Sequence, residues 1–178
     1  MHQSIINFTN IQNSIKENQE KTNNKNNIKI IAVSKTFEIS HINPLIDYGH
    51  TDFGENKVQE AIEKWSDIKH KNQNLSLHLV GKLQSNKTKL ALKIFDYIHS
   101  LDSEKLANKI SEEQKKIDKK PKLFIQVNIG NEDQKSGVSP NNLKSFYKYC
   151  LDKDLDVIGT MCLPPISEDP EKYFMRMN

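Results

Sequence analysis

The 178-residue sequence contains only two cysteines, Cys150 and Cys162. That is too few for a disulfide framework and fits a reducing compartment. Long hydrophobic runs are also missing: Ile28–Val33 and Leu123–Ile129 are among the longest, far short of the ~20 apolar residues of a membrane-spanning helix. The opening Met1-His2-Gln3-Ser4 has no basic segment leading into an apolar one, so no secretory signal is expected. Neither sign of charge dominates, since 26 basic and 23 acidic residues leave a net +3. A nucleic-acid binder gathers its basic residues on one face or stripe. Here the densest lysine runs, Lys69–Lys71 and Lys115–Lys122, read as solvated helix ends and loops. The histidines lack close-paired spacing and the cysteines form no CxxC, so no metal site is expected. What remains is a cytoplasmic protein with neither nucleic acid nor membrane as its partner.

Apolar residues make up 35% of the chain and charged residues 28%, enough for one domain over residues 1–178 if the apolar positions are concentrated. They are concentrated. Ile5, Phe8, Ile11 and Ile15 fall at spacings of three and four and predict an N-terminal helix over about 3–20. The asparagine cluster Asn23–Asn27 is a polar linker. A β-branched run at Ile28–Val33 then begins an alternation. Strands are expected at 28–33, 51–54, 75–80, 97–101, 123–129 and 156–161. Helices are expected from Ser40, from Asn56, over 85–95, 103–117 and 141–151, and from Pro170. Asn56 with Gln59 has capping-box spacing, Gly49 suits a helix C-terminus, and Ser139-Pro140 suits a helix start. Six alternations predict an α/β fold with a parallel sheet and crossover helices. A doubly wound sheet and a (β/α)8 barrel both satisfy that pattern. The last helix is only about two turns long at Asn178, which reads as an interrupted unit.

In α/β proteins, binding groups gather at the carboxyl ends of the strands. Polar residues collect at those positions: Lys35, Glu55 and Asn56, Gly81 with Gln84-Ser85-Asn86-Lys87, Asp102-Ser103, Asn128, and Gly159 to Met161. They are expected to form one shared site. A lysine at a strand end is ordinarily exposed and solvated, but Lys35 directly follows Ile31-Ala32-Val33, a segment apolar enough to be buried on both faces. Burial disfavours a charged amine, and the neutral amine is the species that condenses with an aldehyde.

Ala32-Val33-Ser34-Lys35-Thr36, Phe53-Gly54-Glu55-Asn56-Lys57-Val58-Gln59-Glu60, His78–Lys87 and Lys135-Ser136-Gly137 occur in this order, followed by Gly159-Thr160-Met161 and Pro164-Pro165. Together they resemble the signature blocks of the pyridoxal-phosphate (PLP) homeostasis proteins, whose barrel is shared with the amino-terminal domain of alanine racemase. The resemblance covers nearly all of residues 28–175. It implies an α/β PLP-binding (β/α)8 TIM-type barrel, with Lys35 carrying pyridoxal 5'-phosphate covalently as a Schiff base.

The resemblance also brings three further positions toward the cofactor. Asn56 would orient the cofactor edge or simply cap a helix, and His78 would contact the cofactor or sit as a satisfied core histidine. Met161 would pack on the pyridine ring or fill the barrel. Lys135 is either a second amine for PLP transfer or an exposed loop lysine. Full-length members continue for two more βα units, with a serine- and glycine-rich phosphate segment and an arginine. The chain is therefore expected to lack about the last two units, leaving its first and sixth strands with unpaired edges. The implied function is intracellular PLP homeostasis (storage, buffering or delivery to PLP-dependent apoenzymes) by a monomer without substrate turnover. An interaction-only or non-functional fragment and a racemase-like PLP enzyme are the alternatives.

Overall fold

The β-branched and aromatic runs become six strands, each followed by a helix, in the computed structural model of residues 2–130, 132 and 135–177. Met1, Asn131, Asp133, Gln134 and Asn178 lie outside the described residues. The order is α1 (Gln3–Thr22), β1 (Ala32–Val33), α2 (Ile39–Asp47), β2 (Asp52–Glu55), α3 (Val58–Lys71), β3 (Ser76–Leu79), α4 (Thr88–Ile94), β4 (Tyr97–Leu101), α5 (Glu104–Ile117), β5 (Lys122–Val127), α6 (Leu143–Asp152), β6 (Val157–Cys162) and α7 (Glu171–Met175). The strands form one sheet in sequence order, β1 to β6, and every neighbouring pair is parallel. Parallel neighbours demand crossover connections, which the helices supply. Among the described residues β1 pairs only with β2, and β6 only with β5.

The period-2 alternation of a strand separates two faces. Phe53, Leu77, Leu79, Ile98, Leu123 and Ile125 are essentially inaccessible to solvent, as are Ala61 and Trp65 of α3, Leu92 of α4 and Ile110 of α5. The main apolar core therefore lies between the outer face of the sheet and the helices. The inner face carries a different set, including Asp52, Gly54, His78, His99 and Phe124. α1 adds one anchor: Phe8 is buried with its ring 4.6 Å from His50, which in turn meets Phe53 edge-on. Among the described residues no helix is long and apolar enough to cross a membrane.

Several local expectations change. Of the run at 28–33, only Ala32 and Val33 pair, with Phe53 and Gly54. The helix expected over 85–95 starts as a 3-10 turn at Ser85–Lys87 before α4, and α6 is likewise led by a 3-10 turn at Pro140–Asn142. Asn56 is not the cap of α3. That place falls to Lys57, with no side-chain capping bond. Ser103 does cap α5, accepting the Leu106 N–H.

Candidate functional site

Lys35 projects from the turn that ends β1, and its side chain is exposed. The apolar segment before it is not buried on both faces as expected: Ile31 and Ala32 are half-buried and Val33 is 45% exposed, and only Ser34, at 5%, is buried. Among the described residues Lys35 enters no ion pair. Thr36, the next residue, has φ 66°, a left-handed conformation that is strained for a β-branched side chain.

Glu55, the last residue of β2, and Asn56 just beyond it differ in burial. Glu55 is fully buried and turned outward, against α3, where its Oε1 accepts from Ser34 Oγ at 2.8 Å, Lys64 Nζ at 3.0 Å and Trp65 Nε1 at 3.0 Å. It is therefore not part of a shared site on the sheet's carboxyl rim, and its buried ion pair is structural. Asn56 comes next and is half-buried. It does not cap the helix, and its backbone lies against Gly81. A Cβ on Gly81 would stand 2.3 Å from the Asn56 carbonyl oxygen and 2.8 Å from its Cα, so only glycine lets these two loops touch. Gly81→Ala is expected to lower the unfolding free energy by about 1–3 kcal/mol through this backbone overlap, which denaturant titration would measure.

His78 lies within β3 on the inner face, 1% exposed. Its Nε2 is 3.1 Å from Asp52 Oδ1 and its Nδ1 is 2.9 Å from His99 Nε2. Lys29 in turn contacts Asp52 at 2.8 Å, and these bonds hold the Asp52 carboxyl below the usual range against the burial that would raise it. An ionised Asp52 can only accept. His78 must then carry its proton on Nε2 and offer Nδ1 as acceptor to the His99 Nε2–H. The rings are stacked as well, His78 on Tyr97 at 4.2 Å and His99 on Phe124 at 4.4 Å. Burial pushes His99 down from 6.5 to about 4, helped by the adjacent His78. Both nitrogens of His78 are thus committed inside the sheet, and the satisfied core histidine is the arrangement found.

Other strand-end residues serve their own loops. The Asn128 amide donates to the Glu132 carbonyl at 2.9 Å, and its oxygen accepts from the Glu132 N–H at 3.1 Å. Lys135 pairs with Glu132 at 2.5 Å and donates to the carbonyls of Leu163 and Pro164, tying the loop after β5 to that after β6. Gly137, at φ 135°, permits the close pass against Asn128. Met161 is half-buried on β6, in register with Gln126. Among the described residues no three His, Cys, Asp or Glu side chains are grouped to hold a metal.

Reading the sequence missed Asp52, His99, Glu60 and Lys64. Glu60 and Lys64 had a visible signal in their i,i+4 spacing. Asp52 and His99 had only the weak signal of polar residues inside strands.

The chain matches the family described as alanine racemase, N-terminal domain, over residues 6–178. A pyridoxal phosphate homeostasis protein of Pasteurella multocida is 36% identical over 173 residues, an alignment covering 95% of this chain and 73% of that protein. PipY of Synechococcus elongatus, solved without PLP, superposes with a TM-score of 0.75 at 32% identity, over 88% of this chain and 74% of that one. Its structure with PLP bound superposes with a TM-score of 0.71 at 31% identity, over 88% and 73%. On this agreement of sequence and barrel architecture, the chain belongs to the pyridoxal phosphate homeostasis protein family, built on the alanine racemase N-terminal-domain fold.

Proposed function

We propose that this chain binds pyridoxal 5'-phosphate for its homeostasis and holds it as a Schiff base on Lys35, turning over no substrate. The observation that carries the reading is the lysine itself: an exposed amine, without an ion pair among the described residues, on a turn fixed at the carboxyl end of β1. The names of the relatives, and the PLP bound in one PipY structure, support it. Lys35 would hold the cofactor through its amine, which would condense with the bound aldehyde with loss of water. PLP supplies the aldehyde, while the chain supplies the amine and its surroundings. In this reading Asn56 would meet a polar edge of the ring and Met161 would pack against its face. His78 stands behind them as part of the inner packing. Delivery to PLP-dependent apoenzymes, a monomeric state and a cytoplasmic location complete the reading.

The test is an absorbance spectrum of the protein mixed with PLP, before and after borohydride reduction, with mass spectrometry of the modified peptide. The expected outcome is a Schiff-base band and a reduced adduct confined to Lys35, both absent in Lys35→Ala. Label scattered over surface lysines, unchanged in that variant, would refute the reading and favour an interaction-only role.

A further inference from the structure

The residues on either side of Lys35 are gripped from behind by side chains of β2 and α3. Ser34 donates its N–H to the Gly54 carbonyl at 2.8 Å and its hydroxyl to Glu55. Its own carbonyl accepts from Lys64 Nζ at 3.0 Å. Thr36 donates its N–H to Glu60 Oε1 at 2.8 Å. Lys64 joins the two carboxylates, 3.0 Å from Glu55 and 3.2 Å from Glu60. An ammonium has three protons, and all three of these are directed at this turn and its supports. Local packing alone does not require such an arrangement, because Thr36 is held in a strained left-handed conformation. Such strain persists only where the surroundings over-determine it.

We propose that Glu60 and Lys64, anchored by buried Glu55, are positioning residues that fix the Ser34–Thr36 backbone so that the Lys35 amine is aimed for capture of the PLP aldehyde. This rests on the PLP-binding reading above. Glu60 is the member to change, because its side chain is 29% exposed and its loss leaves the buried Glu55–Lys64 pair intact. Glu60→Ala removes the acceptor of the Thr36 N–H, whereas Glu60→Gln keeps an oxygen there. A charge-assisted bond of this kind corresponds to roughly tenfold or more in an equilibrium constant.

The experiment titrates wild type, Glu60→Ala and Glu60→Gln with PLP, with borohydride trapping at each point and far-UV ellipticity to confirm equal folding. The expected result is trapping on Lys35 about tenfold weaker in Glu60→Ala and restored to within about twofold of wild type in Glu60→Gln. A structural role alone would change the melting temperature and leave the PLP affinity of the folded protein unmoved. Equal affinities in wild type and Glu60→Ala overturn the positioning role while the PLP reading stands. Absence of trapping on Lys35 in wild type overturns both.

Discussion

Trp65→Ala is expected to lower the unfolding free energy by about 3–5 kcal/mol, the range for deleting a large aromatic from a closed core. Trp65 has no accessible surface and packs its ring 4.9 Å from that of Phe53, so the site has little freedom to collapse onto the void. The indole has a second duty, since its N–H donates to Glu55, whose carboxylate is equally inaccessible. Trp65→Phe separates the two contributions: it retains most of the ring volume, removes the donor, and should cost about 1–3 kcal/mol. Denaturant unfolding monitored by far-UV ellipticity measures both. Equal losses in the two variants would mean that the hydrogen bond to Glu55, rather than packing, dominates at this position.

Acidification should weaken the fold well before carboxylates are titrated. His99 has an ordinary value of 6.5 and sits at about 4 in the folded chain, and His78 is lowered in the same direction by burial. The unfolded chain therefore binds more protons between those limits. For a base with a depressed folded value, the stabilisation is complete above about 6.5 and is lost as pH falls toward 4, on the order of 3 kcal/mol for His99 alone. Geometry sharpens the effect, because protonating His78 on Nδ1 would set an N–H against the His99 N–H across 2.9 Å. The Asp96 carboxylate also acts on His78, favouring its charged form without overcoming burial. Asp52 and Lys29 lie beyond His78, His50 holds the Asp52 carbonyl, and Lys122 lies over Tyr97. Unfolding free energies measured from pH 7.5 to 4.5 should fall steeply in wild type and by about half as much in His99→Gln, which keeps a donor but does not titrate. Parallel profiles would rule out His99 as a source of the acid sensitivity.

The sequence exposed some features of this molecule better than others, for physical reasons. Six strands and their crossovers were legible because apolar runs of strand length alternate with amphipathic ones, and the parallel sheet follows from that order. The paired length of β1 was not legible, because how much of the Ile28–Val33 run joins a ladder depends on where β2 lies against it, and only Ala32 and Val33 meet partners there. Lys35 was legible from its place after an apolar strand and from its signature block, and its exposure is the ordinary state of a strand-end lysine rather than the desolvated one that the apolar strand suggested. Asn56 was credited with a cap that falls to Lys57. One-dimensional spacing cannot tell whether a polar residue two positions before a helix turns toward it. The Asp52–His78–His99 chain was hidden more thoroughly. Its members come from three strands, and only the register that sets them side by side, with the face they share, makes them a unit.

The sheet's strand order also bears on how the polypeptide acquires its shape. Each strand pairs with the one made just before it, as Ala32 with Phe53, His78 with Tyr97 and Leu123 with Val157. Among the described residues every pairing spans a single βα unit, the connection a parallel pair requires, and chains emerge from the ribosome amino terminus first at ~5–20 residues per second. The sheet is thus suited to vectorial assembly, each βα unit laid against the edge left by its predecessor. Nascent chains arrested after β3 should already hold β1, β2 and β3 in native register. The Lys35 turn and its support from α3 would then be in place before the second half of the sheet is synthesised.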